Sequence, residues 1–120
     1  MDALVKRFLA HGWDINGQQQ HRRGLWSPLH WIAQRGLTAG LACLLSNGAD
    51  SNIADDKERT PLHIIASKGI GKNQVNLLIE HGADMNVRDD MGRTPRDYAE
   101  EASRDAVARL LAELGTEQGK

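Results

Sequence analysis

Two short phrases recur along this chain in fixed order and at one period. Ser27-Pro28-Leu29-His30 returns as Thr60-Pro61-Leu62-His63, 33 residues on, and as Thr94-Pro95-Arg96-Asp97 after another 34. His11-Gly12-Trp13-Asp14-Ile15-Asn16 returns as Asn47-Gly48-Ala49-Asp50-Ser51-Asn52 and again as His81-Gly82-Ala83-Asp84-Met85-Asn86. Self-similarity at such a period marks supersecondary units that cannot bury their apolar faces alone and therefore stack. For a stack of this kind, function becomes a question about surface.

Each Ser/Thr-Pro pair predicts a helix start. The hydroxyls of Ser27, Thr60 and Thr94 can cap free backbone N–H groups, and a proline at the first helical position forfeits no intrahelical bond. First helices are predicted over Pro28–Arg35, Pro61–Lys68 and Pro95–Ala102, with Gly36 and Gly69 as left-handed stops for the first two. Second helices follow with apolar stripes at helical spacing: Leu41, Leu44 and Leu45; Val75, Leu78 and Ile79; Val107, Leu110, Leu111 and Leu114. Gly48, Gly82 and Gly115 are expected to close them. The Asp-rich stretches 54–59 and 88–93 read as turns.

Of the 120 residues, 40% are hydrophobic and only 4% aromatic, so Leu, Ile, Val and Ala must fill the core. The formal net charge of −1 gives no hint of a nucleic-acid or membrane partner. One cysteine excludes an internal disulfide framework, and no apolar run approaches the roughly 18 residues of a membrane span. A monomeric cytoplasmic protein is expected. Leu4, Val5, Phe8 and Leu9 share one face of Met1–His11, as a capping helix requires. Arg96, Asp97 and Glu100 replace the apolar pattern in the third unit, as a terminal unit without a further neighbour requires. The chain is therefore expected to divide into a capping half-unit at 1–16 and three units at 17–52, 53–86 and 87–120, a single domain that reads either as a whole small protein or as one excised domain.

The period, together with Thr-Pro-Leu-His, resembles the ankyrin repeat. The resemblance covers nearly the whole chain and is most specific from Thr60 to Asn86. It implies an all-α ankyrin-repeat solenoid: an N-terminal half-repeat, then three helix-turn-helix repeats with short β-hairpin fingers. It also implies that His30 and His63 hydrogen-bond the backbone of a neighbouring finger. Two departures stand out, and the second predicts distorted turns. The first finger, Asn16 to Ser27, is three residues longer than Asn52 to Thr60, and Glu58 and Leu25 stand where Gly92 shows the family's glycine. A one-residue insertion near Ile70-Gly71-Lys72 accounts for the longer second spacing.

Site chemistry is sparse. No two of the five histidines have the i,i+4 spacing of a metal pair on one helix, and Cys43 lies in an apolar stripe. His11 and His81 precede a closing glycine, where an imidazole can face the last helical carbonyls. Asp55-Asp56, Asp89-Asp90 and Glu100-Glu101 read as solvated or capping carboxylates, with nothing nearby to bury one and raise its pKa. Gly69-Ile70-Gly71-Lys72 lacks the strand that a phosphate-binding loop requires. No catalytic residue, metal or cofactor is expected.

Trp31 aligns with Ile64 and Tyr98 and is read as core; Trp13 is read as covering the end of the stack. Trp26 aligns with Arg59 and Arg93, where nothing in the repeat asks for an aromatic, so a projecting binding anchor and packing on the long first finger stand equally. The resemblance places partner-binding residues at the finger tips and first-helix ends. These are Arg23 and Trp26, with Gly24 beside them; Asp56, Lys57 and Arg59; and Asp90, Met91 and Arg93. Gln34, Arg35, Ser67, Lys68 and Glu101 follow, with Ala102 beside them. The excess of cations favours an acidic patch on a partner protein. The expected function is a non-catalytic protein-binding module: an inhibitor, adaptor or regulatory subunit. Nucleic-acid binding would need a continuous basic track with stacking aromatics, and Asp56, Asp90 and Glu101 interrupt it. A self-associating structural repeat would need a large exposed apolar patch.

Overall fold

Ser27 holds an extended backbone and its hydroxyl accepts the N–H of His30, which commits the chain to a helix beginning at Pro28. In the computed structural model, which describes residues 15–21, 24–68 and 72–118, this start opens the first of three helix pairs. They are α1 (Pro28–Arg35) with α2 (Thr38–Ser46), α3 (Pro61–Lys68) with α4 (Lys72–Glu80), and α5 (Pro95–Glu101) with α6 (Asp105–Gln118). Gly36 stops α1 in the left-handed conformation, at φ 69°.

The first helices of the pairs lie side by side with α3 in the middle, and α2, α4 and α6 form a second row behind them. Leu29, Leu62, Ile65 and Ala99 from the inner row meet Leu41, Leu45, Val75, Leu78 and Leu111 from the outer row in one continuous core. Because α3 has neighbours on both sides, every residue from Pro61 to Ala66 is buried. In α5 only Pro95 and Ala99 are. Arg96 stands where α3 has Leu62, and it pairs with Glu100 in solvent at 2.8 Å.

The second phrase supplies a polar seam between pairs. The carboxylates of Asp50 and Asp84 accept the N–H groups of Asn52 and Asn86 and so hold each loop. The amide oxygens of Asn16 and Asn52 then reach forward to the N–H groups of Asp50 and Asp84, at 2.8 and 2.7 Å.

The long first finger folds as a hairpin, β1 (Gln19–His21) antiparallel to β2 (Gly24–Trp26), with Gln19 opposite Trp26. This is the strand pairing found among the described residues, and the fold class is the expected all-α solenoid. The second and third fingers are shorter turns, closed by Asp55 N–H to the Arg59 carbonyl and Asp89 N–H to the Arg93 carbonyl, both at 2.9 Å.

Two expectations need correction. Gly115 does not close the last helix, which runs on to Gln118. Gly48 and Gly82 take φ of 95° and 89° ahead of Ala-Asp, whose loop the seam captures; Thr116-Glu117-Gln118 offers no such return. Nor does Glu58 distort its turn: it adopts φ 61°, the same left-handed conformation as Gly92 at 79°. Leu25 lies within β2, and the tight position is Gly24, where a Cβ would sit 2.5 Å from Asp56 Oδ1. The capping helix Met1–His11, Trp13 and the insertion at Ile70-Gly71 lie outside the described residues.

A left-handed residue with a side chain costs about 1–2 kcal/mol, against the roughly 0.5–1 kcal/mol of extra chain entropy that a glycine loses on folding. Glu58→Gly should therefore raise stability by about 0.5–1 kcal/mol in urea unfolding. Gly92→Ala should lower it by a similar amount, since a Cβ there meets nothing within 4 Å and the backbone alone is tested. Equal midpoints for all three chains would remove the strain argument.

Candidate functional site

The finger row is organised by carboxylates that the sequence alone reads as solvated or capping, and that prove to be buried caps of their turns. Asp55 has no exposed side-chain surface, and its charge is met by four donors. Oδ1 accepts the N–H groups of Lys57 (2.9 Å) and Arg59 (2.8 Å); Oδ2 accepts the Arg59 guanidinium (2.9 Å) and the Trp26 indole N–H (3.0 Å). Four donors match the four lone-pair positions of a carboxylate, so the buried charge is fully satisfied. Asp89 repeats the pattern in the third finger, with Met91 and Arg93 N–H on Oδ1 and the Tyr98 hydroxyl on Oδ2. Burial pushes the Asp89 carboxyl up, but the hydrogen bonds from Tyr98, Arg93 and Met91 together outweigh it and leave its pKa below the ordinary value. Burial, reinforced by the bond to Asp89, drives the Tyr98 phenol upward.

Each buried histidine fastens its helix to the finger that follows. His30 Nδ1 accepts the Ser27 N–H at 3.2 Å, so this nitrogen carries no proton and Nε2–H donates to the Arg59 carbonyl at 2.9 Å. His63 repeats both contacts, with the Thr60 N–H at 3.1 Å and the Arg93 carbonyl at 2.9 Å. Protonating either ring would forfeit the bond that Nδ1 accepts from the backbone N–H and leave only the Ser27 or Thr60 hydroxyl, at 2.9 or 3.0 Å, to take the new proton. Burial lowers both imidazole pKa values below 6.5, although the carbonyl bonds and nearby carboxylates act the other way. Asp97, at the histidine's place in the third unit, spends Oδ2 on the Thr94 N–H.

Direct bonds then join the fingers. Gln18 donates to the Ala54 carbonyl at 2.7 Å, Leu25 N–H to Asp56 Oδ1 at 3.0 Å, and Asp90 N–H to the Lys57 carbonyl at 3.0 Å. On this ledge Asp56, Lys57, Asp90 and Met91 are exposed, Met91 to 72%. Arg35 and Glu101 are exposed at the inner-helix ends, with Gln34, Ser67 and Lys68 half-buried. Arg59 is bound to Asp55, and Arg93 to Glu101 at 3.1 Å. Arg23 lies outside the described residues.

Trp26 is the correction that matters most. It is 2% exposed, stacked on His30 with centroids 5.9 Å apart, edge-on to Trp31 at 5.2 Å, and hydrogen-bonded to Asp55. It is a packing element of the first finger and not a projecting anchor. Trp31 and Cys43 are half-buried against the core, and His81 Nδ1 lies 2.9 Å from the Leu77 carbonyl, as expected near a helix end.

A hollow of about 520 Å³ opens at the far side of the third unit, lined by Met85, Asn86, Arg88, Arg96, Glu100 and Leu111 among others. It includes none of the expected binding residues. Among the described residues no cluster of His, Cys, Asp and Glu could hold a metal, and no helix is long and apolar enough to cross a membrane. A family model for ankyrin repeats (3 copies) matches residues 1–89 and, overlapping, 29–120. No curated protein matches the chain.

Trp26→Phe keeps an aromatic side chain but removes the indole N–H, one donor of a buried carboxylate, together with its fused ring, and should cost at least about 1–3 kcal/mol in thermal or urea unfolding. An unchanged midpoint would mean that Asp55 finds another donor. The histidines set a pH window. Their pKa values are lower folded than unfolded, so their contribution is complete above 6.5 and is lost as pH falls from 6.5 toward the folded values. The corresponding window for Asp89 opens only below 3.8. Unfolding midpoints should fall as the pH is lowered below 6.5, and His30→Gln with His63→Gln should flatten that fall.

Proposed function

We propose that this chain, which belongs to the ankyrin-repeat family, is a non-catalytic protein-binding module that docks one partner protein against its fingers and inner helices. The observation that carries the reading is the finger ledge. Buried Asp55 and Asp89 fix each turn, the histidines tie the turns to the helices, and exposed side chains are in position before a partner arrives. Such preorganisation removes much of the ordering cost of association. An inhibitor, adaptor or regulatory subunit all use such a surface. Monomeric behaviour is supported by the scarcity of exposed large apolar side chains, Leu37 and Met91 among the described residues, and a cytoplasmic setting by the single cysteine.

Cations at Arg35, Lys57 and Lys68 favour an acidic patch on the partner. Arg59 and Arg93 add less than their number suggests, because Asp55 and Glu101 already oppose them. Burial of Trp26 removes the aromatic that a nucleic-acid reading would use as a stacking platform.

Capture from native lysate on the immobilised chain tests the proposal. Wild type and an outer-helix control, Asn76→Glu, should retain the same protein. Arg35→Glu combined with Lys68→Glu should reduce its retention about tenfold near 0.1 M salt, and less at higher salt, because screening already removes long-range attraction there. Equal retention by both variants would move docking off this face. Retention of nucleic acid with a steep salt dependence would replace the reading altogether.

A further inference from the structure

Asn16, Asn52 and Asn86 occupy one place in the repeat, and the residue after each decides its chemistry. An asparagine amide is open to attack by the backbone nitrogen that follows it. The attack needs an unengaged nitrogen, no side chain crowding it, and an amide oxygen able to take up negative charge. At Asn52 the oxygen accepts the Asp84 N–H at 2.7 Å, but the next nitrogen belongs to β-branched Ile53 and donates to the Asp50 carbonyl at 3.2 Å. At Asn86 the next residue is β-branched Val87, and no donor among the described residues reaches the amide oxygen.

At Asn16 all three conditions meet. Its Oδ1 accepts the Asp50 N–H at 2.8 Å, and the next residue is Gly17. The Gly17 nitrogen makes no hydrogen bond among the described residues, unlike its counterpart Ile53. Both Asn16 and Gly17 are half-buried, so solvent reaches the pair. Asn47-Gly48 is the other Asn-Gly pair, and the fold closes it off. Asn47 ends α2, its Nδ2 donates to the Cys43 carbonyl at 2.8 Å, and the Gly48 N–H donates to the Leu45 carbonyl at 3.3 Å. The nitrogen that would attack is spent on the helix end.

We infer that Asn16 is a site of spontaneous modification, converting to isoaspartate in the folded chain while Asn47 is held unreactive. The Gly17 nitrogen gives up its proton to solvent base and bonds to Asn16 Cγ. The Cγ–Nδ2 bond then breaks, and ammonia leaves with a proton from water as a five-membered succinimide closes. Charge builds on Oδ1 while the tetrahedral centre forms, and the Asp50 N–H is already in place to meet it. Water opens the ring at either carbonyl. Attack at the Asn16 main-chain carbonyl leaves isoaspartate, whose backbone runs through Cγ; attack at Cγ leaves aspartate.

The product falls between two contacts that seat the first finger. Asn16 holds the Asp50 N–H, and Gln18 donates to the Ala54 carbonyl at 2.7 Å and the Leu25 carbonyl at 3.0 Å. Isoaspartate adds a methylene to the backbone between them, which shifts one contact against the other. The inference reaches beyond the docking proposal and does not depend on it.

Ageing the purified full chain near neutral pH, folded or in urea, tests this. Isoaspartate is measured by enzymatic carboxyl methylation with S-adenosylmethionine and placed by fragmentation mass spectrometry. In the folded chain Asn16 should convert at least about tenfold faster than Asn47, a ratio within the effect of one oriented donor on a developing oxyanion. In urea the two pairs should convert at similar rates. Gly17→Val gives Asn16 a β-branched neighbour like those of Asn52 and Asn86, and should suppress its conversion; Gly17 is not among the glycines of positive φ. The isoaspartate-bearing fraction should melt below both the fresh chain and Asn16→Asp, which carries the charge without the added methylene. Equal conversion of Asn16 and Asn47 in the folded chain, or loss of reaction at Asn16 on folding, overturns the inference. Melting of the aged fraction together with the fresh chain overturns its effect on the first finger.

Discussion

A carboxylate with no contact to water sets the terms for the rest of this molecule. Leaving Asp55 buried without partners would cost several kcal/mol, so the chain must deliver donors to it from two places at once. Three come from its own turn, the N–H groups of Lys57 and Arg59 and the Arg59 guanidinium; the fourth is the Trp26 indole, 29 residues earlier. The second finger therefore completes itself only against the first. Asp89 shows the same demand met by other means, with Tyr98 of the following helix as the donor on Oδ2. Because His63 sits 4.8 Å from Tyr98 and binds the Arg93 carbonyl, the third finger is fixed to the second helix pair as firmly as the second finger is to the first.

Nearly every polar contact that crosses between units spans about one period, so stability is concentrated at neighbour interfaces. The histidine bonds span 29 and 30 residues, and the Asn–Asp seam 34 and 32. Gln74 adds another, donating to Gly36 and Thr38 across the outer row. The neutral, Nε2-protonated state of His30 and His63 is part of this arithmetic, because the same ring must accept at one nitrogen and donate at the other. Helices alone would be interchangeable units with little to fix their spacing. The polar contacts set the register in which the leucines meet.

Helix starts were legible because Ser27 and Thr94, each followed by proline, fix the chain through local bonds, within four residues. The histidine contacts were legible only through family resemblance, since a histidine three residues into a helix has no local signature of its distant acceptor. Asp55 was missed because an Asp-Asp pair in a turn looks solvated unless the neighbouring finger is in view. A signal was present: the pair recurs 34 residues apart, each time with Arg four residues on. The same comparison explains Trp26. The first finger has Arg22 where the others have Asp55 and Asp89, so an arginine at position 26 would have no carboxylate of its own to bind. An indole there can donate forward to Asp55 instead. Gly115 misled because glycine permits a helix to end but does not require it; the seam that ends α2 and α4 is supplied by the residues after the glycine.

What remains for recognition is whatever the scaffold has not already engaged. The expected site mixes two populations that sequence position alone does not separate. Trp26 is consumed in packing, the Arg59 side chain is only 21% exposed beside Asp55, and Arg93 is paired with Glu101. Reversing Arg59 would place a second carboxylate against a buried one, so a binding defect in such a variant would report on folding. Asp56 is half-committed as well, since its Oδ1 holds the Leu25 N–H. Arg35, Lys57, Asp90 and Met91 project from backbone that the buried network already holds, and changes there alter the surface while leaving that network intact. If this face docks the partner as proposed, its specificity would rest on that small set of side chains, on a framework whose own charges are spent internally.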